Sequence, residues 1–392
     1  METATLSKVP KLFLLLCGLW PFKITNNILF TKMYNFYTKY QLISYVSVIL
    51  NLLLNLVYTL VKRNQPERII SSLNMFIIVF EICLKVVIFQ LQKVPLMFSE
   101  ISKYEAAMRA SNDAQVRKYY EQEVQYCRRV NIFQFLVTFF ACSGFAHISI
   151  MKVVASEDMS EFKDTPFMHD LWYPFKREKH MPWVMTVAIL CDTQGLFCNA
   201  ASQSTLICLM IYARTRLIIL QIRLKKFDKI AQEQYHGNAE RAIKELINEH
   251  QDLIKFVQLL NDRTKYVLLL EFILNSLCVA SGTLQFLIID TPAGRLSTFC
   301  LNFYIVVQIF ILSWHANEIT EQGLGVAASI AASNWHKQSK EVKTLLIVMM
   351  MRAQIPFGLT VGPFFRMANS TALQTMKVAY SYMSIMRQNI GK

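Results

Sequence analysis

Charge is scarce in this chain: charged residues make up only 17% of the 392, against 54% hydrophobic ones. That balance lies outside the range of a soluble globular domain. Also missing is any Gly/Ser/Pro-rich linker or internal repeat, so a single integral domain is the simplest organisation. No H-E-x-x-H metal motif, phosphate-binding glycine loop or nucleophile elbow is present, and the two halves show no inverted repeat. These absences argue against a membrane enzyme or transporter and predict no catalytic residue, metal or cofactor. The formal charge of +14 raises the possibility of nucleic acid, but no basic run is interleaved with stacking aromatics, so no nucleic-acid partner is expected.

What the chain does have is long apolar runs. Seven reach about 20 residues, the length that crosses a hydrocarbon core of roughly 30 Å. They lie at Tyr40 to Val61, Ile69 to Leu91, Val130 to Met151, Trp183 to Ala213, Tyr266 to Asp290, Leu296 to Trp314 and Leu359 to Met386. Several are apolar most of the way round, unlike the one-sided stripe of a surface helix. The expected class is therefore an all-α membrane protein with seven transmembrane helices in a lipid bilayer.

The basic residues set an orientation. Roughly 27 Lys and Arg fall in the N-terminal segment and the even-numbered connections, against roughly 11 in the odd-numbered connections and the tail. The N-terminus is expected in the cytoplasm and the C-terminus outside, the reverse of a G-protein-coupled receptor. Cysteine agrees, because none of the nine lies in the outer loop from Lys152 to Met181, where those receptors anchor a disulfide. That loop carries LWYPF, whose aromatics favour a lid folded over the helix tops. The early stretch KLFLLLCGLWP imitates a signal peptide but has no convincing cleavage site, so it is read as part of the mature chain.

Further organisation is predicted at the cytoplasmic end. Leu217, Leu220, Leu224 and Phe227 extend the fourth span as a helical stripe, and Ile243, Ile247, His250, Ile254, Val257 and Leu260 form another. The sixth span runs on through HANEITEQGLGVAASIAASNW, and EVKTLLIVMMMRAQ begins one more helix. The expected divisions are a cytoplasmic N-terminal segment 1–39, spans one to four over 40–213, a helical anchor region 214–265, spans five and six over 266–318, a helical region 319–358, and a last helix with a short outer tail over 359–392.

Five stretches in this order resemble the insect odorant receptor family: GLWP at Gly18 to Pro21, WYPF before the fourth span, LKKF after it, INEHQDLIKFVQLLN leading into the fifth, and TLLIVMMMRAQIPFGLTVGPFF with TALQTMKVAYSYMSIMRQ at the end. The resemblance covers nearly the whole chain. It implies a ligand-gated nonselective cation channel, a heterotetramer of an odour-tuned subunit with a shared co-receptor, in the plasma membrane of olfactory neuron dendrites. It also implies a small volatile odorant as ligand and permeating cations as the ions carried. A gustatory receptor of the same superfamily would end in a threonine-tyrosine, five-residue, Gln-Phe pattern, and SYMSIMRQN is closer to the odorant type.

By the same resemblance the last helix lines the pore. The family's pattern of a hydroxyl residue, Tyr, five residues and Gln fits Ser381, Tyr382 and Gln388, which puts a constriction at Ile385 and Asn389 at the outer mouth. The alternative is that these hydroxyls bond to neighbouring helices. The ligand site is expected in the outer half of the bundle. Candidates are Leu73, Phe76, Ile77 and Phe80 on the second span, with Ser143, Ala146, His147 and Ile150 on the third. The fourth span adds Val184, Val187, Ala188, Cys191 and Asp192, and the sixth adds Phe299, Phe303 and Tyr304. Core packing is the competing role for the apolar ones. His147 and Asp192 stand out because ionisable groups in spans are costly and often functional. Glu81 and Lys85, one turn apart, are expected to pair.

Overall fold

A computed structural model describes residues 5–21, 27–62, 66–111, 113–155, 171, 173, 175–176, 179–289 and 291–390. Among these the chain is almost wholly helical. A short helix α1 (Lys8–Leu16) is followed by α2 (Ile28–Val61), α3 (Pro66–Leu91) and the small α4 (Phe98–Arg109). Then come α5 (Ala114–Ala155), α6 (Met181–Lys225), α7 (Phe227–Tyr235) and α8 (Ala239–Ile288). After α9 (Pro292–Ala331) and α10 (Lys340–Ala353), a minimal hairpin of β1 (Thr360–Val361) and β2 (Phe365–Arg366) leads into α11 (Asn369–Ile390).

Seven of these helices, α2, α3, α5, α6, α8, α9 and α11, coincide with the seven apolar runs. Five are long and apolar enough to cross a membrane by length and composition: α2, α3, α6, α8 and α9. At 1.5 Å per residue the 50 residues of α8 run for roughly 75 Å, far beyond a hydrocarbon core of about 30 Å, so much of that helix projects from the bilayer. The projecting stripes are largely buried as their spacing requires: Leu217, Leu220, Leu224 and Phe227 are at most 2% exposed, Ile243, His250, Ile254, Val257 and Leu260 are buried too, and Ile247 is half-buried. Helices α8 and α9 pass without a break through the expected divisions at residues 266 and 318.

Helix α6 is the axis of the bundle. Every residue from Cys198 to Ala213 is buried, because this stretch is mostly apolar or small and its two amides, Asn199 and Gln203, find partners on neighbouring helices. Helix α2 is the opposite case: Ile43, Leu50, Leu54 and Val57 are exposed on an apolar helix, the pattern of a lipid-facing surface. Helix α1 packs inward through Phe13 and Leu14, and its end is set by Gly18 at φ +71. Its entry is pinned where the Leu6 backbone N–H donates to Glu105 Oε1 at 2.6 Å, an oxygen that also accepts from Tyr120 at 2.6 Å.

One expected boundary is corrected. The last helix does not begin at Leu359 but at Asn369, because residues 359–367 form the hairpin, pairing Thr360 with Arg366 and Val361 with Phe365. The physical reason is local. Gly358, Gly362 and Pro363 break a helix, Thr360 and Val361 are β-branched, and Gly362 takes φ +57. The hairpin is fastened to α8, with the Thr360 N–H donating to Asn261 Oδ1 at 2.8 Å and the Gly362 N–H to the Lys265 carbonyl at 2.9 Å.

Candidate functional site

A cavity of about 100 Å³ lies among α2, α3, α5, α6, α8 and α9. At roughly 10–15 Å³ per water this is room for several waters or one small organic molecule. Helix α3 supplies the most wall, with Ser71, Asn74, Met75, Ile78, Val79 and Ile82. Tyr45 and Val48 come from α2, Ala141 and Cys142 from α5, and Cys191, Asp192, Gln194, Gly195 and Leu196 from α6. Gln285 of α8 and Ser297, Thr298 and Leu301 of α9 complete it.

The polar groups are organised rather than scattered. Asn74 Nδ2 donates to Gln285 Oε1 at 3.1 Å, and Asn74 Oδ1 accepts from the Ser281 hydroxyl, so α3 is tied to α8 beside the cavity. Gln194 donates to the Gln41 carbonyl at 3.2 Å and accepts from the Ser44 hydroxyl at 3.1 Å, tying α6 to α2. Such bonds matter here because helices in lipid gain nothing from hiding apolar surface against one another.

One turn further along α3 is a fully buried charge cluster. Lys85 Nζ is 2.7 Å from Glu81 Oε1, the expected pair, and 2.5 Å from Glu271 Oε1 of α8. The same Glu271 oxygen accepts from Gln203 of α6 at 2.5 Å. Three helices, α3, α6 and α8, therefore meet on one carboxylate oxygen of Glu271.

The sequence candidates divide between three places. Cys191 and Asp192 line the cavity. Leu73, Phe76, Ile77 and Tyr304 sit instead in an apolar cluster with Cys278, Ala372 and Ala379, which joins α3 to α8, α9 and α11. Phe80 stacks on Phe76 with ring centres 5.5 Å apart, and the Tyr304 hydroxyl accepts from Asn199 Nδ2 at 2.7 Å. Ala146, Val184 and Ala188 belong to a smaller cluster with Val153 and Met181, against which Tyr173 of the LWYPF segment packs.

The other candidates are not gathered there. His147, Val187, Phe299 and Phe303 are exposed, the last two stacked on each other at 6.3 Å. Ile150 is half-buried, and half-buried Ser143 donates to the Phe140 carbonyl at 3.3 Å. Trp172 and most of the Lys152 to Met181 loop lie outside the described residues; of the rest, Leu171 is buried. Sequence reasoning missed the cavity face of α3 and the whole contribution of α2. The available signal was polar: Ser71 and Asn74 interrupt an otherwise apolar face of α3 at the spacing of one turn.

Helix α11 packs on α8 and α9 through Ala372 and Ala379 and leaves its opposite side bare. Tyr380, Tyr382 and Ile385 are 68%, 45% and 57% exposed. The Ser381 hydroxyl donates to the carbonyl of Lys377 in its own helix at 3.0 Å, and not to a neighbouring helix. The side chains of Gln388 and Asn389 lie outside the described residues.

Known proteins share this architecture. The solved structure of the olfactory receptor OR5 from Machilis hrabei in complex with eugenol superposes with a TM-score of 0.79 at 17% identity, covering 98% of this chain and 97% of that one. A second structure of the same receptor gives 0.77. The fold is thus the seven-span helical fold of that receptor. Among sequences, Odorant receptor 10 of Aedes albopictus is 26% identical over 178 residues, 45% of this chain and 48% of that protein. Odorant receptor Or2 of Anopheles gambiae is 29% identical over 152 residues, 39% of this chain and 40% of its own length. The matched stretches therefore span half or less of these two relatives. The family model described as 7tm Odorant receptor matches residues 65–380, most of the chain, and these are membrane receptors rather than enzymes. The chain belongs to the insect odorant receptor family.

Proposed function

We propose that this receptor is the odour-tuned subunit of a ligand-gated, nonselective cation channel, assembled as a heterotetramer with a shared co-receptor in the plasma membrane of olfactory neuron dendrites. The observation that carries the reading is the adjacency of the cavity to the apolar cluster reaching α11. Asn74 and Ile78 line the cavity, while Leu73, Phe76 and Ile77 on the neighbouring face of α3 pack in the cluster with Ala372 and Ala379 of α11. A ligand that displaces α3 or α8 has a packed route to the last helix.

In this mechanism a small volatile enters the cavity and gains mainly by leaving water. Hiding about 200 Å² of apolar surface yields about 5 kcal/mol, before the cost of immobilising the molecule. Only the part of that energy realised better in the open arrangement drives opening. Filling the cavity shifts α8 and α9, and α11, which packs on both, carries Ile385 away from the axis. The bare face holding Tyr382, Ser381 and Ile385 then lines a wetted path, with Gln388 and Asn389 at its outer end. In the closed state a ring of Ile385 side chains excludes water and with it ions. The stretch 214–265, with α10, serves subunit assembly.

Recording tests the proposal. The chain is co-expressed with a co-receptor in oocytes and a panel of volatiles is applied. Concentration-dependent inward cation current from the pair, absent when the chain is omitted, is the expected result. No current to any volatile, with both chains at the surface, rejects it.

A further inference from the structure

A second cavity, of about 520 Å³, opens among α4, the end of α6 and the projecting part of α8. It lies just past residue 213, where the fourth span is expected to end, on the side expected to face the cytoplasm. Its wall is aromatic: Tyr212 makes edge contacts with Tyr104 and Phe256, with ring centres 5.6 and 5.0 Å apart.

Arg216 stands against this wall without a counter-ion. It is half-buried and forms no ion pair among the described residues. Its guanidinium lies over the rings of Tyr104 and Tyr212, 4.6 and 5.7 Å from their centres, and Nη1 donates to the Tyr212 hydroxyl at 3.3 Å. Its Nε and the Tyr104 hydroxyl are both buried with no hydrogen-bond partner among the described residues. The neighbouring carboxylate, Glu249, is bound instead by Arg223. A charge taken out of water is normally paired, so an unpaired guanidinium beside a cavity calls for an anion.

The rim adds Lys103 and Lys255, with Glu100 and Asp252 against them. Asp252 is held by Lys255 at 3.4 Å, and Glu100 forms no ion pair with Arg216, so the positive charge is in excess. A phosphate monoester suits this setting better than a carboxylate does. It brings a charge of about −1.5 to −2 and three acceptor oxygens, which a planar guanidinium meets with two parallel bonds.

We propose that this cavity binds a phosphate monoester, with Arg216 and the Tyr104 hydroxyl as donors, Lys103 and Lys255 as supporting charge, and Phe256 and Leu259 beneath the organic part. Two sources share that chemistry: the headgroup of a lipid in the cytoplasmic leaflet, and a soluble nucleotide. Bound phosphate ties α4 to α6 and α8. The inference is independent of the odorant reading, since it uses neither the first cavity nor α11.

The test titrates the full-length, detergent-solubilised receptor with dioctanoyl phosphatidic acid, dioctanoyl phosphatidylcholine and AMP, reading half-saturation from the rise in melting temperature. Phosphatidic acid or AMP is expected to saturate at a concentration at least about tenfold below phosphatidylcholine; the tighter of the two identifies the lipid or the soluble source. Arg216→Gln weakens that ligand at least about tenfold, and Arg216→Lys restores part of the loss. Glu100→Gln, which removes a competing charge from an exposed position, strengthens it about threefold. If Arg216→Gln does not fold, the double variant Lys103→Gln, Lys255→Gln stands in and weakens binding at least about threefold. Phosphatidic acid and phosphatidylcholine saturating alike with AMP inert overturns the proposal, as does unchanged affinity in Arg216→Gln or in the double variant.

Discussion

Removing the Lys85 side chain is expected to be among the most damaging single changes available in the bundle. Lys85 is 0% exposed and its ammonium group stands between Glu81 and Glu271, at 2.7 and 2.5 Å. In Lys85→Met the hydrophobic volume is kept, but two carboxylates are left facing each other with no compensating charge. Breaking a buried ion pair by deleting one partner costs about 3–5 kcal/mol, because the surviving charge stays desolvated. Here two survive, so the upper end applies, and each 1.4 kcal/mol is a tenfold change in population. The contact also joins α3 to α8, with Gln203 of α6 on the same oxygen, so loosening it frees three helices together. Thermal unfolding of detergent-solubilised receptor, followed by fluorescence-detected gel filtration, should show Lys85→Met melting well below the parent with reduced surface expression. The triple variant Lys85→Met, Glu81→Gln, Glu271→Gln removes all the charges and should recover most of the loss. A Lys85→Met protein as stable as the parent, or a triple variant no better than the single one, refutes the reasoning.

Two further outcomes follow from the projecting part of the bundle. His250, 2% exposed and facing the Phe357 ring, has its pKa lowered to about 4 by burial and by the nearby Arg352 charge. The folded protein keeps it neutral while the unfolded chain takes up a proton near pH 6.5, so its contribution is intact above that pH and lost progressively towards pH 4; at pH 5 the loss is roughly 2 kcal/mol. Melting curves at pH 7 and pH 5 should show a smaller acid-induced drop for His250→Gln than for the parent, and an identical drop contradicts the assignment. At Gly362, φ +57 and a would-be Cβ only 3.0 Å from Leu269 Cδ2 predict that Gly362→Ala costs about 1–2 kcal/mol, seen as a lower melting temperature; no shift rules out strain in the turn.

The helices were legible in the sequence because length and composition alone specify them: an apolar run of 20 residues has few other fates, and the stripes at Leu217 and Ile243 predicted their own burial. Their faces were harder to read. On α3 the residues Leu73, Phe76, Ile77 and Phe80 make a continuous apolar stripe, and so do Met75, Ile78, Val79 and Ile82 on the adjoining face. Periodicity offers no means of telling which faces a cavity and which packs against α11, since both are apolar and at least half-buried. The Glu81–Lys85 pair was visible as a four-residue spacing, whereas Glu271 lies 186 positions from Lys85 and only the fold brings them together. The start of α11 was missed because the hydrophobicity of GLTVGPFF outweighed its turn residues. His147 drew attention as an ionisable group in a span, yet it points outward from α5, where an exposed position is open to it.

The most direct measurement is of Ile385. Its side chain is 57% exposed on the bare face of α11, and in the proposed mechanism it is the residue that keeps the closed path dry. Ile385→Ala, recorded with a co-receptor at matched surface expression, should raise the current without ligand and alter permeation or agonist sensitivity. Unchanged leak, permeation and agonist response would contradict the assignment of α11 as the pore helix gated at this position.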